Sequence, residues 1–211
     1  MSVKKKICQK TAEFISIVFH PIFIPFYTVI AYLYLSPRYF IFQNIKYLVL
    51  YLLIVSIIIP LLFFAIMYLA NFFSGFDLKT PIERLFITII LLVVYVNIFR
   101  KILNYSDYIE LHPFFLGIIL SLFSFALYNY FQQKPSMHTM AISGSLTFFI
   151  IWSYYSNYNI LVFISIFFLL ASLIISSRLY LKAHCWNEII RGLLIGMLMQ
   201  LFAFFIAYEY F

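Results

Sequence analysis

His184 and Glu188 stand four residues apart near the C-terminal end of the chain. If that stretch is helical they share one face, and the carboxylate accepts a hydrogen bond from one imidazole nitrogen. Such a bond fixes the tautomer and leaves the other nitrogen as a nucleophile. Arg178 and Lys182, just upstream, add fixed positive charge that would hold an anion. A second imidazole, His138, follows Lys134, Pro135, Ser136 and Met137. Both histidines precede or open an apolar run, so both are expected at helix N-termini, where free N–H groups and the helix dipole favour a phosphate. Two imidazoles, several cations and two helix ends describe phosphoryl transfer by side chains alone, with no metal and no cofactor.

The elements that carry these residues are set by an unusual composition. Hydrophobic residues make up 65% of the 211 and charged residues 10%, against roughly a quarter charged in soluble domains, and the mean hydropathy is +1.03. The chain is therefore an integral membrane protein, all-α, and its short connections predict one helical-bundle domain over residues 1–211. Runs long enough to span fall at about 13–35, 46–72, 85–102, 113–131, 139–155, 158–176 and 188–208, which gives six to seven spans. The motif-bearing half is about 134–208. Two helices separate the polar loop of Lys79 and Arg84 from Ser136, and two more separate His138 from Ser177, so the three clusters face one side of the membrane.

Glycine placement supports a close approach. Gly144 follows His138, and Gly192 with Gly196 follow His184, in both cases on the helix that the histidine begins. Small faces of this kind let two helix backbones come together. Other polar residues have simpler readings. His20 and His112 each precede a proline and read as helix starts; Glu188 has Arg191, three residues on, as an alternative partner. Cys8 and Cys185 lie at opposite ends of the chain and make neither a disulfide framework nor a metal spacing. The net charge of +7 is spread over loops, with no basic arm or zinc module for nucleic acid; anionic lipid surfaces and phosphate groups suit it better. Basic residues are balanced between the two loop sets, so they do not set the orientation, and the oligomeric state is not encoded in any visible pattern.

Ser177-Arg178, five residues, His184, three residues and Glu188 resemble the third signature of the type 2 phosphatidic acid phosphatase (PAP2) superfamily, S-R-x5-H-x3-D. Pro135-Ser136-Met137-His138 is similar to its second signature, P-S-G-H. The resemblance covers the chain from Lys134 onward and implies a PAP2/haloperoxidase-like core. It implies His184 as the nucleophile that forms a phosphohistidine, Glu188 as its orienting acid and His138 as the acid that protonates the leaving group. Ser136, Ser177 and Arg178 would bind phosphoryl oxygens, with Lys134, Lys79 and Arg84 as further cations. The sequence departs from the family pattern in three places: Glu188 stands for aspartate, Met137 for glycine, and no K-x6-R-P occurs, Lys79 and Arg84 being two residues closer and followed by Leu85. The expected substrate is a lipid phosphate or isoprenoid pyrophosphate, and the expected location a bacterial inner membrane. A lipid-phosphate-binding protein of the same fold without catalysis stays open as the other reading. A transporter is disfavoured, because no internal repeat or broken mid-membrane helix pair is visible.

Overall fold

The computed structural model describes residues 3–36, 45–73, 78, 80–103 and 108–207, with side chains from residue 6 onward. Among these residues the secondary structure is helical throughout: α1 (Val3–Val18), α2 (Ile24–Leu35), α3 (Ile45–Leu52), a π-helical turn (Leu53–Ile58), α4 (Ile59–Leu69), α5 (Pro81–Leu103), α6 (Leu111–Tyr130), α7 (Met137–Ser156), α8 (Leu161–Tyr180) and α9 (Trp186–Ala207). Five helical stretches are long and apolar enough to cross a membrane: Ile45–Leu69, α5, α6, α8 and α9. The 20 residues of α7 match them in length, and this helix is less apolar for a physical reason. It sits between α9, α8, α6 and α2, so its Thr139, Ser143, Ser145 and Thr147 are buried against protein. A helix shielded from lipid can carry hydroxyls that a lipid-facing one excludes. At 12 residues, α2 is about 18 Å long and crosses only part of a bilayer.

The expected first span, 13–35, is instead two helices. Pro21 has no N–H to continue α1, and the chain tightens to a His20 N–H to Ile17 O bond (3.2 Å) before Pro25 restarts it near the beginning of α2. Pro60 acts differently. The π-helical turn ahead of it lets Ile59 N–H reach back to Ile54 O, so the ladder absorbs the missing donor without ending the helix. The helix expected from about 85 begins one turn earlier at Pro81. A reciprocal cap explains the difference: Thr80 N–H donates to Glu83 Oε2 (3.0 Å) and Glu83 N–H to Thr80 Oγ1 (3.2 Å).

α7 and α9 run side by side in the same direction. A Cβ on Gly192 would strike Thr139 Oγ1 and Ser136 O, and one on Gly196 would strike Met140 O and Ser143 Oγ; further along, Phe204 meets Phe148 at 6.0 Å. Gln200, buried in α9, donates to Pro113 O of α6 (3.0 Å), and Thr28 of α2 donates to Ser145 of α7 (2.7 Å). These two buried side chains thus find partners on neighbouring helices.

The turns that lead into the polar end share one stop signal. After α4, α6 and α8 the left-handed residues are Asn71, Gln132 and Lys182. In each case the amide of that residue and the one after it return to the last turn, as in Lys182 N–H to Leu179 O (3.0 Å) and Ala183 N–H to Arg178 O (3.1 Å). This is the Schellman pattern, built here without glycine. It reverses the chain tightly and brings Ser136 and His184 to the start of the following helices.

Candidate active site

At the start of α9, His184 Nδ1 donates to Glu188 Oε2 at 2.8 Å. The same carboxylate oxygen accepts the Cys185 N–H at 3.1 Å. Glu188 is the third residue of the helix and reaches back to the residue before it, so one side chain caps the helix and orients the imidazole. This bond places the ring proton on Nδ1 and leaves the lone pair on His184 Nε2. The His184 side chain is 7% exposed. Burial lowers its pKa to about 4, the Arg178 and Lys134 charges push the same way, and Glu188 pulls against them. The ring is therefore neutral at pH 7, the state a nucleophile needs. Glu188 turns to His184 and not to Arg191.

The start of α7 is built from different materials. Ser136 is its N-cap residue, but the hydroxyl makes no cap bond. Ser136 is fully buried, and its Oγ has no hydrogen-bond partner, while its N–H donates to Glu188 O at 3.0 Å. The two helix starts are thus joined backbone to backbone. Thr139 Oγ1, shared between Ser136 O (3.1 Å) and Ile189 O (3.2 Å), adds a second tie. Met137, in the glycine position of the resemblance, adopts ordinary helical backbone and packs its side chain against the apolar core. The glycine is not needed for this turn.

Arg178 connects the parts. From the last turn of α8 its guanidinium acts electrostatically on His20, His138 and His184, and its Nη1 donates to Ser16 Oγ at 2.6 Å. His138 and His184 are close enough to feel one another's charge. His138 is 7% exposed, and its Nε2 donates to Ser16 O at 3.2 Å.

Arg84 is not a solvated loop charge. It is 8% exposed, donates from Nε to Asn129 Oδ1 (2.9 Å) and from Nη1 to Leu78 O (3.2 Å), and interacts electrostatically with Glu188. Lys79 lies outside the described residues. Ser177, buried next to Arg178, donates its hydroxyl to Ile174 O of its own helix (2.8 Å). His184, Glu188, Arg178, His138, Ser136, Lys134 and Arg84 therefore gather at one end of the bundle.

A family model described as the PAP2 superfamily matches residues 84–210. The chain belongs to the PAP2 superfamily. The match begins at Arg84 and takes in both histidine-bearing helix starts. No curated protein and no solved structure matches the chain. Three residues of this PAP2 member's polar end escaped the reading from sequence. Asn129 had one visible signal, a lone amide in the last turn of an apolar helix. His20 was read as a helix start, yet it lies in the turn between α1 and α2 with its ring edge-on to His138, centroids 5.3 Å apart. Ser16 had no signal, a serine in an apolar stretch being unremarkable by itself. A cavity of about 620 Å³, lined by Tyr51, Asn97, Arg100, Lys101 and Leu103, lies at the far end of α5 from Arg84. It holds none of the groups that could do phosphoryl chemistry.

Proposed function

We propose that this PAP2 member is a membrane-embedded phosphatase that acts on a lipid phosphate or isoprenoid pyrophosphate through a phosphohistidine at His184. The observation that carries the reading is the 2.8 Å bond from His184 Nδ1 to Glu188 Oε2. It sets the tautomer in which Nε2 holds an available lone pair. The Nε2 pair attacks phosphorus, the bond from phosphorus to the leaving oxygen breaks, and His138, protonated to the imidazolium beside the bound anionic phosphate, gives its Nε2 proton to that oxygen and becomes neutral. Water then attacks the phosphohistidine, passes a proton to His138 and releases inorganic phosphate, so both imidazoles return to their starting states.

Charge develops on the phosphoryl oxygens as the transition state forms, and fixed donors there contribute more than they would in water. Arg178 and Lys134 supply cations, Arg84 adds positive potential from the start of α5, and the unpartnered Ser136 Oγ supplies a hydroxyl. All of these lie at the end of a helical bundle, where a lipid head group meets water and its tail remains among the apolar helix faces. The test is phosphate release from a panel of lipid phosphates and isoprenoid pyrophosphates by purified protein in detergent, with His184→Ala as control. Turnover that vanadate inhibits and the substitution removes supports the reading. Lipid-phosphate binding without turnover by the unaltered chain overturns it and leaves a binding protein of the same fold.

A further inference from the structure

Ser16 presents two oxygens to the two groups that the proposed reaction needs most. Its hydroxyl accepts from Arg178 Nη1 at 2.6 Å, the guanidinium assigned to a phosphoryl oxygen. Its backbone carbonyl accepts from His138 Nε2 at 3.2 Å, the N–H assigned to the leaving oxygen. A phosphate ester offers the same pair, an anionic oxygen for the cation and an ester oxygen for the acid. Ser16 therefore stands where the substrate's head group must sit.

The element that carries it is lightly held. Of the α1 side chains described, only Ala12 and Ser16 are buried, while Ile7, Phe14 and Ile17 are 59%, 66% and 67% exposed. Residues four apart make one narrow stripe, and that stripe rests on α8. A helix with so little buried apolar surface opens at low cost compared with the bundle core. The turn after it, 19–23, is broken by Pro21 and holds His20 against His138, and across it Tyr27 Oη–H of α2 donates to Val18 O of α1 at 3.3 Å, so the hinge for α1 lies in this turn. Ser16 also lies outside the residues that match the family.

We propose that Ser16 is an internal occupant of the phosphoryl subsite, and that α1 is a gate which the substrate's phosphate must displace. Ser16 thereby sets substrate affinity without taking part in bond making. The inference rests on the proposed phosphatase reading for the identity of the subsite, and its test separates the two. Ser16→Ala removes the hydroxyl that holds Arg178, and Ser16→Asp places a carboxylate opposite it. KM for phosphatidic acid in detergent micelles and Kd for inorganic phosphate are measured for both variants and the unaltered chain.

Ser16→Ala is expected to lower KM and Kd about tenfold, equivalent to about 1.4 kcal/mol, with kcat unchanged. Ser16→Asp is expected to raise both by more than that factor. A serine that merely braced the fold would give the opposite sign for alanine, because a loosened site binds phosphate more weakly. Unchanged or weaker phosphate binding by Ser16→Ala overturns the gate. If phosphate binds but nothing turns over, the comparison of Kd values still decides the gate while the phosphatase reading falls. If turnover occurs and Ser16→Ala matches the unaltered chain, the gate falls and the phosphatase reading stands. Phosphate binding by none of the three proteins removes the subsite, and the gate with it.

Discussion

The two histidine-bearing helix starts differ in how they are held. At α9 the proposed nucleophile, its proposed orienting acid and the capped amide come from five consecutive residues, and every bond among them is local. At α7 the local cap is missing: the Ser136 hydroxyl is unpartnered, its N–H goes to α9, and His138 points to Ser16 of α1. One start is finished by its own sequence. The other is completed by neighbours, and its buried hydroxyl still has a hydrogen bond to make. Under the proposed reaction, this contrast assigns preorganisation to the attacking group and adaptability to the side that meets substrate.

Removing the finished half should have the largest effect. His184→Ala is expected to reduce phosphate release by about 10³-fold or more and to abolish an acid-labile phosphoenzyme. His138→Ala should slow turnover by about 10²–10⁴-fold and yet leave the phosphoenzyme detectable with a good leaving group. A phosphoenzyme lost in the His138 variant and kept in the His184 variant would reverse the assignment of the two halves.

Glu188→Gln tests whether the local bond is more than a cap. The amide can still accept from His184 Nδ1 but stabilises a charged ring less, and a loss of about 10²-fold in kcat is expected, with KM little altered. In the unaltered chain, the acid limb of the phosphoenzyme-formation rate should lie near the lowered His184 pKa of about 4, below the usual histidine range. The sign follows from burial: the folded site disfavours the protonated ring, so the nucleophile stays neutral as pH falls through 6.5 and is lost only as it approaches 4. A limb at the ordinary histidine pKa would mean that His184 is solvated when it reacts.

Ser136→Ala sharpens the other side of the comparison. A single phosphoryl donor at the adaptable start should cost about tenfold in kcat/KM, far less than His184. Loss of equal size would show that the α7 start is as indispensable as the α9 start. Gly192→Ala addresses what joins them, since the added methyl meets Thr139 Oγ1 and Ser136 O. Thermal unfolding in detergent should show a destabilisation of about 1–3 kcal/mol, with activity per folded molecule lowered as the two starts are forced apart.

Composition and spacing were enough for much of this. A chain with so few charges can only satisfy its backbone in lipid by forming helices, and the His184–Glu188 pair is legible because four residues on a helix make neighbours of any such pair. The Thr80-Pro81-Ile82-Glu83 cap was also written locally, and reading it would have moved Arg84 from loop into helix. Arg84's burial was not legible, because its partner Asn129 lies 45 residues away. Neither was the Ser177 hydroxyl's turn toward Ile174, which depends on a rotamer.

The sequence by itself determined the membrane setting, the helical class and the His184–Glu188 pairing at the α9 start, because each rests on composition or on contacts within one helical turn. Only the tertiary structure decided that Ser16 reaches both His138 and Arg178. Those bonds join residues 122 and 162 positions apart. No periodicity encodes such contacts, because they arise only when packed helices bring distant backbone and side-chain groups to the same end of the bundle.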